Sequence, residues 1–168
     1  MKKFLSGVII ASLCATWALA QEKPPVRVEL HSYQQVVVKD KNGKVKKDKA
    51  GKPLKKWVKA SRVVPETVVK YVDTIINETN TTIEDAKVKN MIDPNLAFIA
   101  DSATSEAKFD VKYSIDGGKH FDLPEKLFVV EKKKKRLAKP SEYNAIMFVV
   151  SKVPAHSKVE VSYKTKLK

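Results

Sequence analysis

Apolar and polar positions alternate along most of this chain, and helical spacing is scarce. Val26-Arg27-Val28-Glu29-Leu30 alternates strictly, and Val36-Val37-Val38 continues the pattern after Tyr33. That period of two marks a strand with one face covered. Val68 to Asn77 reads as a strong strand, entered through a corner at Pro65-Glu66-Thr67 and left through the polar loop Asn77 to Thr82. Ala86–Met91 and Ala97–Ala100 are shorter strands separated by an Asp93-Pro94-Asn95 turn. Phe109 to Ile115 alternates and meets a turn at Asp116-Gly117-Gly118-Lys119, where the aspartate side chain can cap backbone N–H groups. Leu127–Val130, Tyr143–Ser151 and Ser157–Leu167 complete the series, with Pro154 to Ser157 turning the chain between the last two. In the final strand Val159, Val161, Tyr163 and Leu167 share a face. Ile146–Val150 and Val68-Val69 are apolar on both faces, as central strands are. Short strands punctuated by turns every eight to twelve residues predict an all-β, antiparallel sandwich of about seven to nine strands.

Lysine interrupts the pattern in two places. Between Lys39 and Lys59 ten lysines face only Asp40 and Asp48, and Lys132 to Arg136 is an unbroken basic run after Glu131. Within the first patch, Asp40-Lys41-Asn42-Gly43-Lys44 and Asp48-Lys49-Ala50-Gly51-Lys52 repeat at a spacing of eight. Each reads as a turn, in a solvated hairpin region that could serve as an anion-binding arm. The second run is expected at a hairpin tip. The Asp40 segment lacks the further oxygen ligands and closing glutamate of a calcium loop.

The first twenty residues stand apart. A short basic start at Lys2-Lys3, an apolar stretch from Phe4 to Leu19 and small residues Ala18 and Ala20 predict an export leader cleaved before Gln21. Leu13 before Cys14 argues against a lipid anchor there. The expected organisation is thus a leader over 1–20, N-terminal strands with the lysine-rich region over 21–64, and a sandwich over 65–168, the last two packing as one domain. The product is placed in the periplasm or outside the cell, with no transmembrane segment after cleavage.

Composition narrows the chemistry. The chain carries 33 Lys and Arg against 19 Asp and Glu, a net charge of +14, or +12 once Lys2 and Lys3 leave. Only Arg27, Arg62 and Arg136 are arginines. Specific phosphate or base reading favours arginine's planar fork, so lysine-heavy charge and export together argue against nucleic acid. Cys14 is the only cysteine and departs with the leader, so no disulfide can staple the fold. His31, His120 and His156 are too dispersed in sequence for metal-ligand spacing. No Gly-x-Ser-x-Gly elbow or glycine-rich phosphate loop occurs. Asn77 and Asn80 head N-x-Thr sequons, which matter only in a glycosylating host. Tyr71 fits a core position better than a sugar-stacking one. No catalytic, metal or cofactor site is expected.

From Pro65 to Lys168 the chain resembles the DUF11-type conserved repeat domain, a family of immunoglobulin-like sandwiches in bacterial envelope and surface proteins. Pro65-Glu66-Thr67, Tyr71 and Asn77 occupy the places of its opening corner and first strand. Asp93-Pro94 stands for its aspartate-proline turn, and Phe98 to Ala103 for the aromatic strand that follows. Tyr113-Ser114-Ile115-Asp116-Gly117-Gly118-Lys119-His120-Phe121 fits its Tyr-Ser-x-Asp-Gly-Gly-x-x-Phe segment residue for residue. Tyr143, Phe148 and Pro154 meet its closing pattern. Glu66 and Ala155 replace two turn glycines, so other turn types are expected at those corners. The resemblance implies an immunoglobulin-like fold and carries no catalytic residues.

The expected function is that of an exported, non-catalytic envelope or surface protein with a structural, adhesive or protein-interaction role. The alternative is lysine-mediated binding of acidic glycans or anionic lipid headgroups. Its contacts would be Lys44, Lys46, Lys47, Lys55 and Lys56 in the first patch, and Lys132, Lys133, Lys134, Lys135 and Arg136 in the second.

Overall fold

The computed structural model describes residues 24–168. The expected leader, with Ala18, Ala20 and Gln21 at its cut, lies outside the described residues. Among these residues the chain is an antiparallel β-sandwich of eleven strands. The larger sheet runs in the order β2 (Lys55–Lys59), β1 (Val26–Val37), β3 (Val68–Asn77), β11 (Ser157–Leu167) and β5 (Leu96–Phe98), with β6 (Thr104–Ser105) also pairing to β11. The smaller is β4 (Ile83–Met91), β10 (Ala145–Val153) and β7 (Phe109–Ser114). β8 (Phe128–Glu131) and β9 (Lys134–Leu137) form a separate hairpin.

The two runs that are apolar on both faces take central places. β3 lies between β1 and β11, and β10 lies between β4 and β7. Their inward side chains meet across the gap. Ile146, Phe148, Val150, Val153 and Val161 are completely buried. Aromatic rings fill one end, Tyr113 stacking on Tyr143 at 4.6 Å and Tyr71 on Tyr163 at 5.1 Å. Phe98 sits within 5.0 Å of Tyr113 and 6.3 Å of Tyr163, linking the stacks. With no cysteine among the described residues, this burial, worth roughly 25 cal/mol per Å2, is the main contact holding the sheets together. Tyr71 is therefore a packing residue.

Several details depart from the alternation pattern. The segments expected at 26–30 and 36–38 are one strand of 12 residues, β1. Lys134–Leu137 belongs to strand β9, so only Lys132 and Lys133 form the tip, both with φ positive at 49° and 65°. Short strands such as β6 and β9 carry too few residues to alternate visibly, and they raise the strand total. β10 and β11 lie in opposite sheets, so the Pro154–Ser157 turn crosses the sandwich. At the corner where a different turn type was expected, Glu66 itself takes the left-handed φ of 70° that glycine adopts freely. Its N–H donates to Leu167 O and its carboxylate pairs with Lys166, which hold it there. At the other corner the positive φ falls on His156 instead, at 52°.

The sheets differ in width. Val26, Val28 and Leu30 lie opposite Asn77, Ile75 and Asp73 on the inward face, yet the smaller sheet does not cover them. They are 44, 47 and 53 % exposed. Among the described residues no helix is long and apolar enough to cross a membrane.

Candidate functional site

The lysine patch between β1 and β2 folds into a knob held by its own backbone. The Val38 N–H donates to Leu54 O at 2.9 Å, Leu54 N–H to Lys46 O at 2.8 Å, and Lys46 N–H to Val38 O at 2.9 Å. These three bonds close a triangle whose corners are eight residues apart. The repeated pentapeptides are the two loops between corners, and their geometry matches. Asp40 Oδ1 accepts from the N–H groups of Asn42 and Lys44, and Asp48 Oδ1 from those of Ala50 and Lys52, all at 2.9 Å. Gly43 and Gly51 both sit at φ 77°, where a side chain would be strained.

The knob's two carboxylates are thus turned inward to their own turns. All ten lysines of the patch, including Lys44, Lys46, Lys47, Lys55 and Lys56, are exposed. Among the described residues none of them forms a salt bridge. The knob's surface charge is mostly cationic, with ten exposed lysines against exposed Asp48 and half-buried Asp40.

The second basic run is used differently. Arg136 donates Nε to Glu131 at 2.7 Å and forks onto Glu142 with two bonds of 2.8 Å. That fork raises the guanidinium above its ordinary range and lowers the Glu142 carboxyl to about 2. Lys135 Nζ lies 4.2 Å from the centre of the Phe128 ring. Lys132, Lys133 and Lys134 remain exposed around the tip. The two basic sets sit on separate elements, the knob on the larger sheet and the hairpin beside the 3-10 turn Pro124–Lys126.

From the knob, the outward face of the larger sheet leads into two joined depressions. The first is a shallow groove of about 250 Å3 lined by Trp57, Tyr33, His31, Lys70, Val72 and Glu160. The second is a trough of about 1040 Å3 that continues over β11 and β6 to Lys108 before β7, and on to Ser151 and Lys152 of β10 in the smaller sheet. Lys70 and Glu160 line both. Lys108, Lys152 and Lys158 ring the trough, among the hydroxyls of Thr104, Ser105 and Ser162. Thr104 and Ser162 hydroxyls are bonded at 2.9 Å, and Ser105 Oγ donates to Glu160 O at 2.6 Å. Trp57, 37 % exposed on its edge strand, stands diagonal to Tyr33 across the β1–β2 register. Trp57 is not among the contacts expected from sequence, and His31 stood there only as too far from the other histidines to share a metal. The parity of β1 and β2 carries the missing signal, because Tyr33 and Trp57 fall on one face once the strands are paired.

The Asp-Gly-Gly turn is a closed structural unit. Asp116 Oδ1 accepts from Ser114 Oγ at 2.7 Å and from the Lys119 and His120 N–H groups at 3.1 and 3.0 Å. Its Oδ2 lies 2.6 Å from His120 Nδ1. These bonds, led by the His120 amide, hold the carboxyl well below the usual carboxylate range. Gly117 N–H donates to Asn144 Oδ1 at 2.9 Å and Gly118 N–H to Ser114 Oγ at 3.0 Å. His156 Nε2 meets Asn80 Oδ1 at 2.7 Å, and His31 lines the shallow groove. Among the described residues no three His, Cys, Asp or Glu side chains are grouped to hold a metal ion.

Compared with protein-family models, with curated proteins and with solved structures, the chain finds no match in any of the three.

Proposed function

We propose that this chain is an exported, non-catalytic adhesive module of the cell envelope that binds an acidic glycan along the outward face of its larger sheet. The supporting observation is the continuity of that face. A knob of lysines without salt bridges leads to exposed Trp57 and half-buried Tyr33, and from there through Lys70 into a hydroxyl-lined, lysine-ringed trough that reaches Lys152 on the smaller sheet. Aromatic faces suit the apolar faces of sugar rings. Lysine ammonium groups suit carboxylate, sulfate or phosphate substituents as point charges, without the fixed geometry an arginine fork would demand. A flat, open site of this kind favours a polymer over a small molecule, which calls for an enclosing pocket. Periplasmic or extracellular placement follows from the leader residues, and the likeness to the DUF11-type domain fits an envelope setting.

The test compares binding of the 21–168 chain to an acidic polysaccharide such as polygalacturonate, to neutral dextran, and to anionic phospholipid vesicles. The expected result is retention on the acidic polymer that falls steeply as salt rises through physiological strength, where screening reaches about 8 Å. Trp57→Ala should weaken it with the salt slope kept, and Lys44→Gln with Lys46→Gln and Lys47→Gln should flatten the slope. Equal retention on dextran, or insensitivity to salt, would refute the reading. Preference for vesicles with no effect of Trp57→Ala would assign the charge to lipid headgroups instead.

A further inference from the structure

We infer that two copies of this chain pair through the free edge of β1, antiparallel about a two-fold axis at Val28, extending the larger sheets into one. β2 covers β1 only from Tyr33 to Val37. Among the described residues no strand pairs with Val26–His31 on that side.

Hydrogen bonding at either end fixes which groups point outward. Ala60 N–H donates to Ser32 O toward β2, and Glu78 N–H donates to Pro25 O toward β3. Even-numbered residues of β1 therefore direct their N–H and C=O to the β2 side. Beyond β2 these groups belong to Val26, Val28 and Leu30. The same residues carry the uncovered apolar side chains, 44, 47 and 53 % exposed.

Other edges are guarded as exposed strands usually are. β2 carries Lys55, Lys56 and Lys59, β4 carries Glu84, Lys87 and Lys89, β7 carries Asp110 and Lys112, and β5 is 3 residues long. The β1 edge has no lysine and no proline between Val26 and His31, and its two charges, Arg27 and Glu29, pair with each other.

The sequence of this edge complements itself. With Val28 opposite Val28 of the second copy, Val26 faces Leu30 and Arg27 faces Glu29. The even pairs exchange backbone bonds, and the odd pairs bring opposite charges together at the closer spacing of non-hydrogen-bonded positions. Arg27 already holds Glu29 and Glu78 of its own chain at 3.2 and 2.9 Å, so its guanidinium is presented in place. Pro24 and Pro25 end the ladder, since neither has an N–H to give. Moving the axis to Leu30 would require the Ser32 carbonyl, which Ala60 occupies.

The absence of cysteine after residue 14 gives a direct test. The 21–168 chain should sediment at twice its monomer mass, and Val28→Lys, with unchanged circular dichroism, should sediment at the monomer mass. Val28→Cys should form a disulfide dimer under mild oxidation, because opposed Cα atoms in such a pair are about 5.5 Å apart, within disulfide reach. Leu30→Cys should not, as its copies would be offset by four residues, about 13 Å. A monomeric chain whose Val28→Cys variant stays uncrosslinked would overturn the proposal. So would crosslinking of Leu30→Cys in place of Val28→Cys, which would exclude this register.

Discussion

Asn77 ties the two sheets together through Val153. From the end of β3 its buried amide donates to Val153 O at 3.1 Å, at the end of β10, and also to Pro154 O at 2.9 Å and Thr81 O at 2.8 Å. Its own Oδ1 accepts from Thr79 N–H and Oγ1 at 3.1 and 2.7 Å. The side chain is 1 % exposed, so the sequon at this position is committed to structure. Removing it takes this donor from the buried Val153 carbonyl, while Pro154 O keeps the Ser157 hydroxyl and Thr81 O the Thr79 hydroxyl. Asn77→Ala is expected to cost about 2–4 kcal/mol in urea unfolding. Asn77→Asp should cost more at neutral pH, because a carboxylate cannot donate to three carbonyls, and should regain part of the loss on acidification.

Asp116 makes stability depend on acid. Its folded-state value lies below the unfolded one, so its contribution is present in full above about pH 4. It drains away as the pH falls from there toward the native-state value. The group is solvent-exposed, and water screens much of the effect. Asp116→Asn should lower the melting temperature at pH 7, and its gap to the parent should narrow as the pH falls to 2, as thermal melts across that range would read. An unchanged difference between pH 7 and pH 2 would contradict this.

Asp73 runs the other way. It is 1 % exposed on the inward face of β3, bonded by Asn90 from the opposite sheet, and burial raises its carboxyl despite that bond. A carboxylate with a raised folded value is stabilising below its unfolded range and costs stability as pH rises through the folded one. Asp73→Asn should therefore gain on the parent chain at pH 8 relative to pH 4, measured as the shift in urea midpoint.

Arg136 supports the β8–β9 hairpin through its two bonds to Glu142. Lysine offers a point charge where the fork is needed, so Arg136→Lys should behave like Arg136→Ala. Both are expected to speed tryptic cleavage within Lys132–Lys135 in the folded protein. Rescue by lysine would mean that charge alone holds the hairpin.

Alternation made the strands legible, because each strand's pattern is local. β3 and β11 begin and end where their residues predicted, and the runs covered on both faces take central places. Partition between sheets was not legible, since nothing in Pro154-Ala155-His156 distinguishes a hairpin from a crossover. Arg136 read as part of a basic run because its partner Glu142 lies across a turn that only the fold closes. Trp57 and Tyr33 required the β1–β2 register before they shared a face. The eight-residue repeat was visible at Asp40 and Asp48, but the third corner at Leu54 has no such turn and so gave no sign of a closed triangle.

That triangle predicts a cooperative unit inside the knob. Each of its three amides, on Val38, Lys46 and Leu54, bonds to the carbonyl of another corner, so losing one corner frees its donor and its acceptor together. Native-state hydrogen exchange should show these three amides protected to a similar degree and opening together, below the global stability because the knob buries little apolar surface. Gly43→Val forces a side chain into the left-handed region, at a cost of about 1–2 kcal/mol for an L-residue there. It should collapse the protection of all three amides while leaving those of Ile75 and Phe148 in the core unchanged. Loss at one corner alone would show that the three bonds open independently.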